Sequence, residues 1–79
     1  MGLVADFTVE PFVPGSPGPH VAAALTAAEL TGATVVVGPF GNEVTANDDE
    51  TVLRALSDAI RAGLNAGATR VAVEVRRVV

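Results

Sequence analysis

The stretch Gly38-Pro39-Phe40-Gly41, followed by Asn42-Glu43-Val44-Thr45-Ala46-Asn47 and the acids Asp48-Asp49-Glu50, constrains this chain more than any other. Gly-Pro and Gly-Asn pairs mark chain reversals. The turn therefore joins two short strands: 33–38, with three consecutive Val residues, and 42–47. The carboxylates cluster where a helix dipole is positive, just ahead of an apolar pattern of helical period. Asn47 or Asp48 is expected to cap a helix that runs to about Ala66. Its expected buried stripe is Val52, Leu53, Leu56, Ile60 and Leu64. Gly63 is a mild weakness inside that helix, and Gly67 ends it.

The flanking segments complete the order. Leu3, Ala5, Phe7 and Val9 alternate with Val4, Asp6, Thr8 and Glu10, which describes a half-buried strand that Pro11 ends. A loop with Pro at 14, 17 and 19 leads into a helix over 20–31, capped by Ser16 or Gly18 and stopped by Gly32. Val21, Ala24, Leu25 and Ala28 form its apolar side. Residues 69–78 alternate again, with Val71, Val73 and Val75 facing inward. Strand, helix, strand, strand, helix, strand is the α+β ferredoxin-like βαββαβ fold, expected to span residues 1–79 as one domain. Right-handed crossovers place both helices on one face of a four-stranded antiparallel sheet ordered 4-1-3-2, leaving the other face open.

Composition narrows the function. A net charge of −4 with five Arg and no Lys argues against nucleic acid, because phosphate binding needs a basic stripe. An RNA-recognition domain shares this strand order but needs aromatics on its central strands; acids stand there instead. The absence of Cys excludes disulfides and thiolate metal sites. The opening residues lack a signal-peptide pattern, and no apolar run approaches about 18 residues. No membrane partner and a cytoplasmic location are expected.

On the expected register the open face carries Asp6, Thr8 and Glu10, then Glu43 and Thr45, then Glu74 and Arg76. Such a patch suits a cationic or amine-bearing ligand, whose N–H donors carboxylates can pair. It also suits an oligomer seam with cross-strand ion pairs. Ser16 and His20 are placed at the rim from the loop, and Asn42 beside Glu43. A helix-terminus contact is the plainer role for His20, the only histidine. Glu43 with Asp48, Asp49 and Glu50 matches no calcium loop, and helix capping accounts for the last three. The lone His20, without Cys or Tyr, leaves too little for a catalytic constellation, so no enzyme and no cofactor are expected.

The chain resembles the small thiamine-binding-protein family, single-domain relatives of the tandem YkoF-type proteins. The likeness covers nearly the whole length. It is carried by Ala5-Asp6-Phe7-Thr8-Val9-Glu10-Pro11, the Gly-Ser loop before His20-Val21, the Gly38-Pro39-Phe40-Gly41 turn and Gly67-Ala68-Thr69-Arg70-Val71. Asn42 stands where relatives carry Thr, and Thr45-Ala46 where they carry Glu-Gly. The resemblance implies a ferredoxin-like fold, a homodimer or homotetramer, and non-catalytic binding of thiamine or its hydroxymethylpyrimidine moiety. The ligand set expected here is Asp6, Thr8, Glu10, Ser16, His20, Asn42, Glu43 and Thr45. The alternative is a structural or regulatory self-associating module without a small-molecule ligand.

Overall fold

Period-two alternation becomes β1, Gly2–Glu10, in a computed structural model that describes residues 2–13, 15–39 and 41–78. Pro14 of the loop and Phe40 of the turn lie outside the described residues. The remaining elements are α1 (Pro19–Leu30), β2 (Thr34–Val37), β3 (Asn42–Thr45), α2 (Asp49–Asn65) and β4 (Arg70–Val78). The four strands pair antiparallel in the order β2-β3-β1-β4, so the fold is the expected α+β ferredoxin-like arrangement.

Register sorts the side chains. Ala5 opposes Val44 and Val75, and Phe7 opposes Asn42 and Val73. Opposed residues share a sheet face, so these lie under the helices, where Ala5, Phe7, Val9 and Val44 are buried with Val21, Val52 and Leu56. Asp6 opposes both Glu43 and Glu74, which sets three carboxylates in one row across the open face.

α1 starts at Pro19 with Gly18 as its N-cap. It stops at Thr31, whose Oγ1 donates to the Ala28 carbonyl at 2.6 Å, and Gly32 then takes φ 94°, a left-handed conformation that a side chain would disfavour. Asp48 occupies the N-cap of α2, but its side chain makes no capping bond. The working carboxylate is Asp49, whose Oδ1 accepts the Leu3 backbone N–H at 2.9 Å and so pins the start of α2 to β1.

Two packing expectations need correction. α2 buries Val52, Ala55, Leu56, Ala59 and Gly63, while Leu53 and Leu64 are 45% and 48% exposed. The buried stripe is rotated toward small residues because α1 comes close. A Cβ on Gly63 would lie 3.6 Å from the Ala24 Cβ, 3.7 Å from the His20 carbonyl oxygen and 3.4 Å from Val9 Cγ1. Likewise Val73 and Val75 share the helix-facing side with Phe7 and Ala5 but remain 40% and 43% exposed, because β4 is an edge strand.

Those distances at Gly63 are ordinary van der Waals contacts, so a methyl group fits. Gly63→Ala should stabilise the fold by up to ~1 kcal/mol through helix propensity. That corresponds to a rise in melting temperature of about 4–8 °C. A lower melting temperature would mean that α1 and α2 need the glycine contact itself.

Candidate functional site

The expected ligand residues divide between two surfaces. Asp6, Glu43 and Thr45 lie on the open face, since Asp6 opposes Glu43 and Thr45 opposes Thr34. Arg76, opposite Val4, reaches across β1 so that its Nη2 lies 3.8 Å from Glu43 Oε2. Glu10 at the end of β1 pairs with Arg70, its cross-strand partner on β4. All four side chains of these pairs are well exposed, so each pair contributes little to stability. Glu43 does not converge with the acids at the start of α2. Among the described residues no group of three or more His, Cys, Asp or Glu side chains is placed to hold a metal ion.

The enclosed space lies on the other side of the sheet. A cavity of about 410 Å³ opens between α1, the end of β1 and the β2–β3 turn. Its walls are Val9, Phe12, Pro17, Val21, Leu25 and Val37, with Asn42 as the polar exception and Thr8 and Glu10 at the border. That volume falls within the range of small-molecule sites, which are mostly apolar with a few placed polar groups.

Local structure shapes it. The turn closes through the Gly38 N–H, which donates to the Gly41 carbonyl at 2.8 Å. Gly41 passes close to β1: a Cβ there would lie 3.4 Å from Thr8 Cγ2. The loop that carries Phe12 and Pro17 is tied down by His20, whose Nε2 donates to the Pro11 carbonyl. On the far side of β1, the Thr69 N–H donates to the Glu10 carbonyl at 2.8 Å.

Of the expected residues, Thr8, Glu10 and Asn42 border this cavity, whereas Ser16 and His20 do not line it. His20 is a loop brace, and exposed Ser16 donates its backbone N–H to the Val13 carbonyl at 3.0 Å. Asn42 does not belong beside Glu43. It opposes Phe7 and Val37 and points to the helix side, where its Nδ2 donates to the Phe7 carbonyl at 3.1 Å. The period-two rule, applied from Val44 back to Asn42, is the signal that would have placed it there. The apolar walls had no such signal, because they meet only through the paths of the loop and the turn.

Three solved structures share the fold. A domain of unknown function (DUF77) from Bacillus cereus superposes with a TM-score of 0.69 at 19% identity, covering 96% of this chain and 73% of that one. A hypothetical protein from Methanocaldococcus jannascii gives 0.67 at 20% identity, covering 94% and 75%. A protein from Streptococcus pneumoniae gives 0.59 at 21% identity, covering 96% and 83%. At these identities the likeness is one of fold. No protein-family profile and no curated protein matches the chain. Among the described residues no helix is long and apolar enough to cross a membrane.

Proposed function

We propose that this chain is a non-catalytic binding protein for thiamine or its hydroxymethylpyrimidine moiety, held in the cavity between α1 and the β2–β3 turn. The observation that carries the reading is the preformed apolar cavity of about 410 Å³ with a buried amide in its wall. The family resemblance supplies the ligand, and the acidic open face supplies a favourable field for a cation approaching the sheet.

Isothermal titration with thiamine, hydroxymethylpyrimidine and thiamine phosphate tests it. Saturable binding at micromolar concentration or tighter is expected. No heat and no thermal shift with any of the three would sink the reading. Glu10 refines it, because it borders the cavity and neutralises Arg70. Glu10→Gln leaves Arg70 uncompensated near the mouth, so the affinity for cationic thiamine should fall several-fold. Affinity for the uncharged pyrimidine should hold. Equal affinities in the variant and the parent would remove Glu10 from the site.

A second reading, a self-associating module, is favoured by β4. This nine-residue strand lies at the sheet edge with Val73 and Val75 exposed. A long apolar edge invites pairing with another strand. A second copy is the proposed partner, giving a homodimer or, by further stacking, a homotetramer. It is compatible with ligand binding, and light scattering on the purified chain is the direct test. A monomer at every accessible concentration would remove this reading.

A further inference from the structure

Asn42 is the only buried polar or charged side chain among the described residues, 8% exposed. It lines the cavity and donates one Nδ2–H to the Phe7 carbonyl. A carbonyl oxygen only accepts, so this bond fixes which end of the amide is nitrogen. Among the described residues nothing else takes up Nδ2, and nothing takes up Oδ1. No described side-chain polar atom is both sealed from solvent and unpaired, so Oδ1 keeps some exposure, and Asn42 is part of the cavity lining. The result is a fixed donor–acceptor edge set in an apolar wall.

We infer that the Asn42 amide is the specificity-determining group of this cavity, and that it reads an uncharged planar N-heterocycle presenting an N–H donor beside a ring-nitrogen or carbonyl acceptor. The inference rests on the binding reading above and names the part of the ligand that is recognised. A primary amide matches such an edge with two parallel hydrogen bonds, as Asn and Gln do with the adenine edge. Val9, Val21, Leu25 and Val37 offer apolar surface to the faces of a ring. The one ionised side chain at the border, Glu10, is already paired with Arg70. Ring-edge complementarity, rather than charge, is therefore what the depth of the cavity selects. A cationic group attached to the ring stays at the mouth.

The test is titration of the intact wild-type chain with 4-amino-5-hydroxymethyl-2-methylpyrimidine, its analogue with hydrogen in place of the amino group, thiamine, and 3-methylthiazolium alone. The amine should bind at least about tenfold tighter than the deamino analogue, since losing the donor leaves a desolvated acceptor unpaired. The thiazolium alone should not bind. Asn42→Leu, checked for folding by circular dichroism, should bind amine and analogue equally weakly. The wild-type comparison decides the matter even if that variant fails to fold. Equal affinity of wild type for amine and analogue, with thiamine still bound, overturns the role of Asn42 and leaves the binding function standing. Thiazolium binding as tightly as thiamine overturns it in the same way. No binding of any compound overturns both.

Discussion

Phe7→Ala is expected to remove about 3–5 kcal/mol of stability, the largest loss of any single core truncation in this chain, and to lower the urea midpoint well below that of the wild type. Phe7 is fully buried, and the other two Phe residues are an exposed loop residue, Phe12, and Phe40 of the turn. It stands at the centre of β1, between Asn42 on β3 and Val73 on β4, in the same core as Val44 and Val52. Truncating a buried Phe to Ala costs about 3–5 kcal/mol through lost transfer energy and the cavity left behind. A domain of this size holds roughly 4–12 kcal/mol in total. Apart from Leu56, the other buried residues of that core are Val and Ala, too short to close over the gap. Phe7→Leu keeps most of the volume and should cost under about 1.5 kcal/mol. Urea unfolding separates the two variants by their midpoints. An Ala variant that melts with the wild type would mean that the sheet and helices hold without this anchor. Phe7 also supplies the carbonyl that orients the Asn42 amide, so the same residue links the core to the candidate site.

The element order was legible because it rests on local chemistry: alternation in β1 and β4, Gly and Pro at the reversals, and a helical period in α2. The sheet order followed because two strand–helix–strand units have few right-handed solutions. The buried side of α2 was legible only in part: Val52 and Leu56 are buried as expected. Leu53 and Leu64 outrank Ala55, Ala59 and Gly63 in hydrophobicity, yet the smaller residues are buried because α1 approaches closely, with Ala24 close to Gly63. Hydrophobic pattern reports which residues avoid water, whereas close packing selects for size. The cavity was not legible for a related reason. Polar residues on alternating strands drew the reading to the open face, while the enclosed volume is set by where α1 begins, how the loop with Phe12 runs and how the turn closes. Thr8, Glu10 and Asn42 were among the expected residues and border the cavity, and parity with Val44 is what places Asn42 among the core residues.

On the proposed self-association, charge reversal at Glu74 should weaken the dimer on the order of thirtyfold, and a compensating reversal at Arg76 should restore it. Two copies joined antiparallel along β4 around a two-fold axis pair residues of equal parity, because opposed residues share a face. An axis at Glu74 sets glutamate against glutamate. An axis at Val73 sets Arg70 against Arg76 of the second copy, and one at Arg76 sets that arginine against itself. An axis at Val75 instead places Glu74 opposite the partner's Arg76 twice over, with the two Val75 side chains adjacent on the helix-facing side. Glu74→Arg turns both attractive pairs repulsive. At ~0.5 kcal/mol for each attraction lost and each repulsion gained, the sum is ~2 kcal/mol. Glu74→Arg combined with Arg76→Glu recreates both pairs in the opposite sense. In each chain it also removes the Arg76–Glu43 contact, so a thermal melt of the monomer accompanies the association measurement. Sedimentation equilibrium at low and high salt gives the dissociation constants. Recovery in the double variant, with the difference from Glu74→Arg shrinking as salt screens the charges, fits the Val75 axis. A double variant as weak as Glu74→Arg, with its monomer stability intact, would rule that axis out and leave the apolar edge to pair in another register.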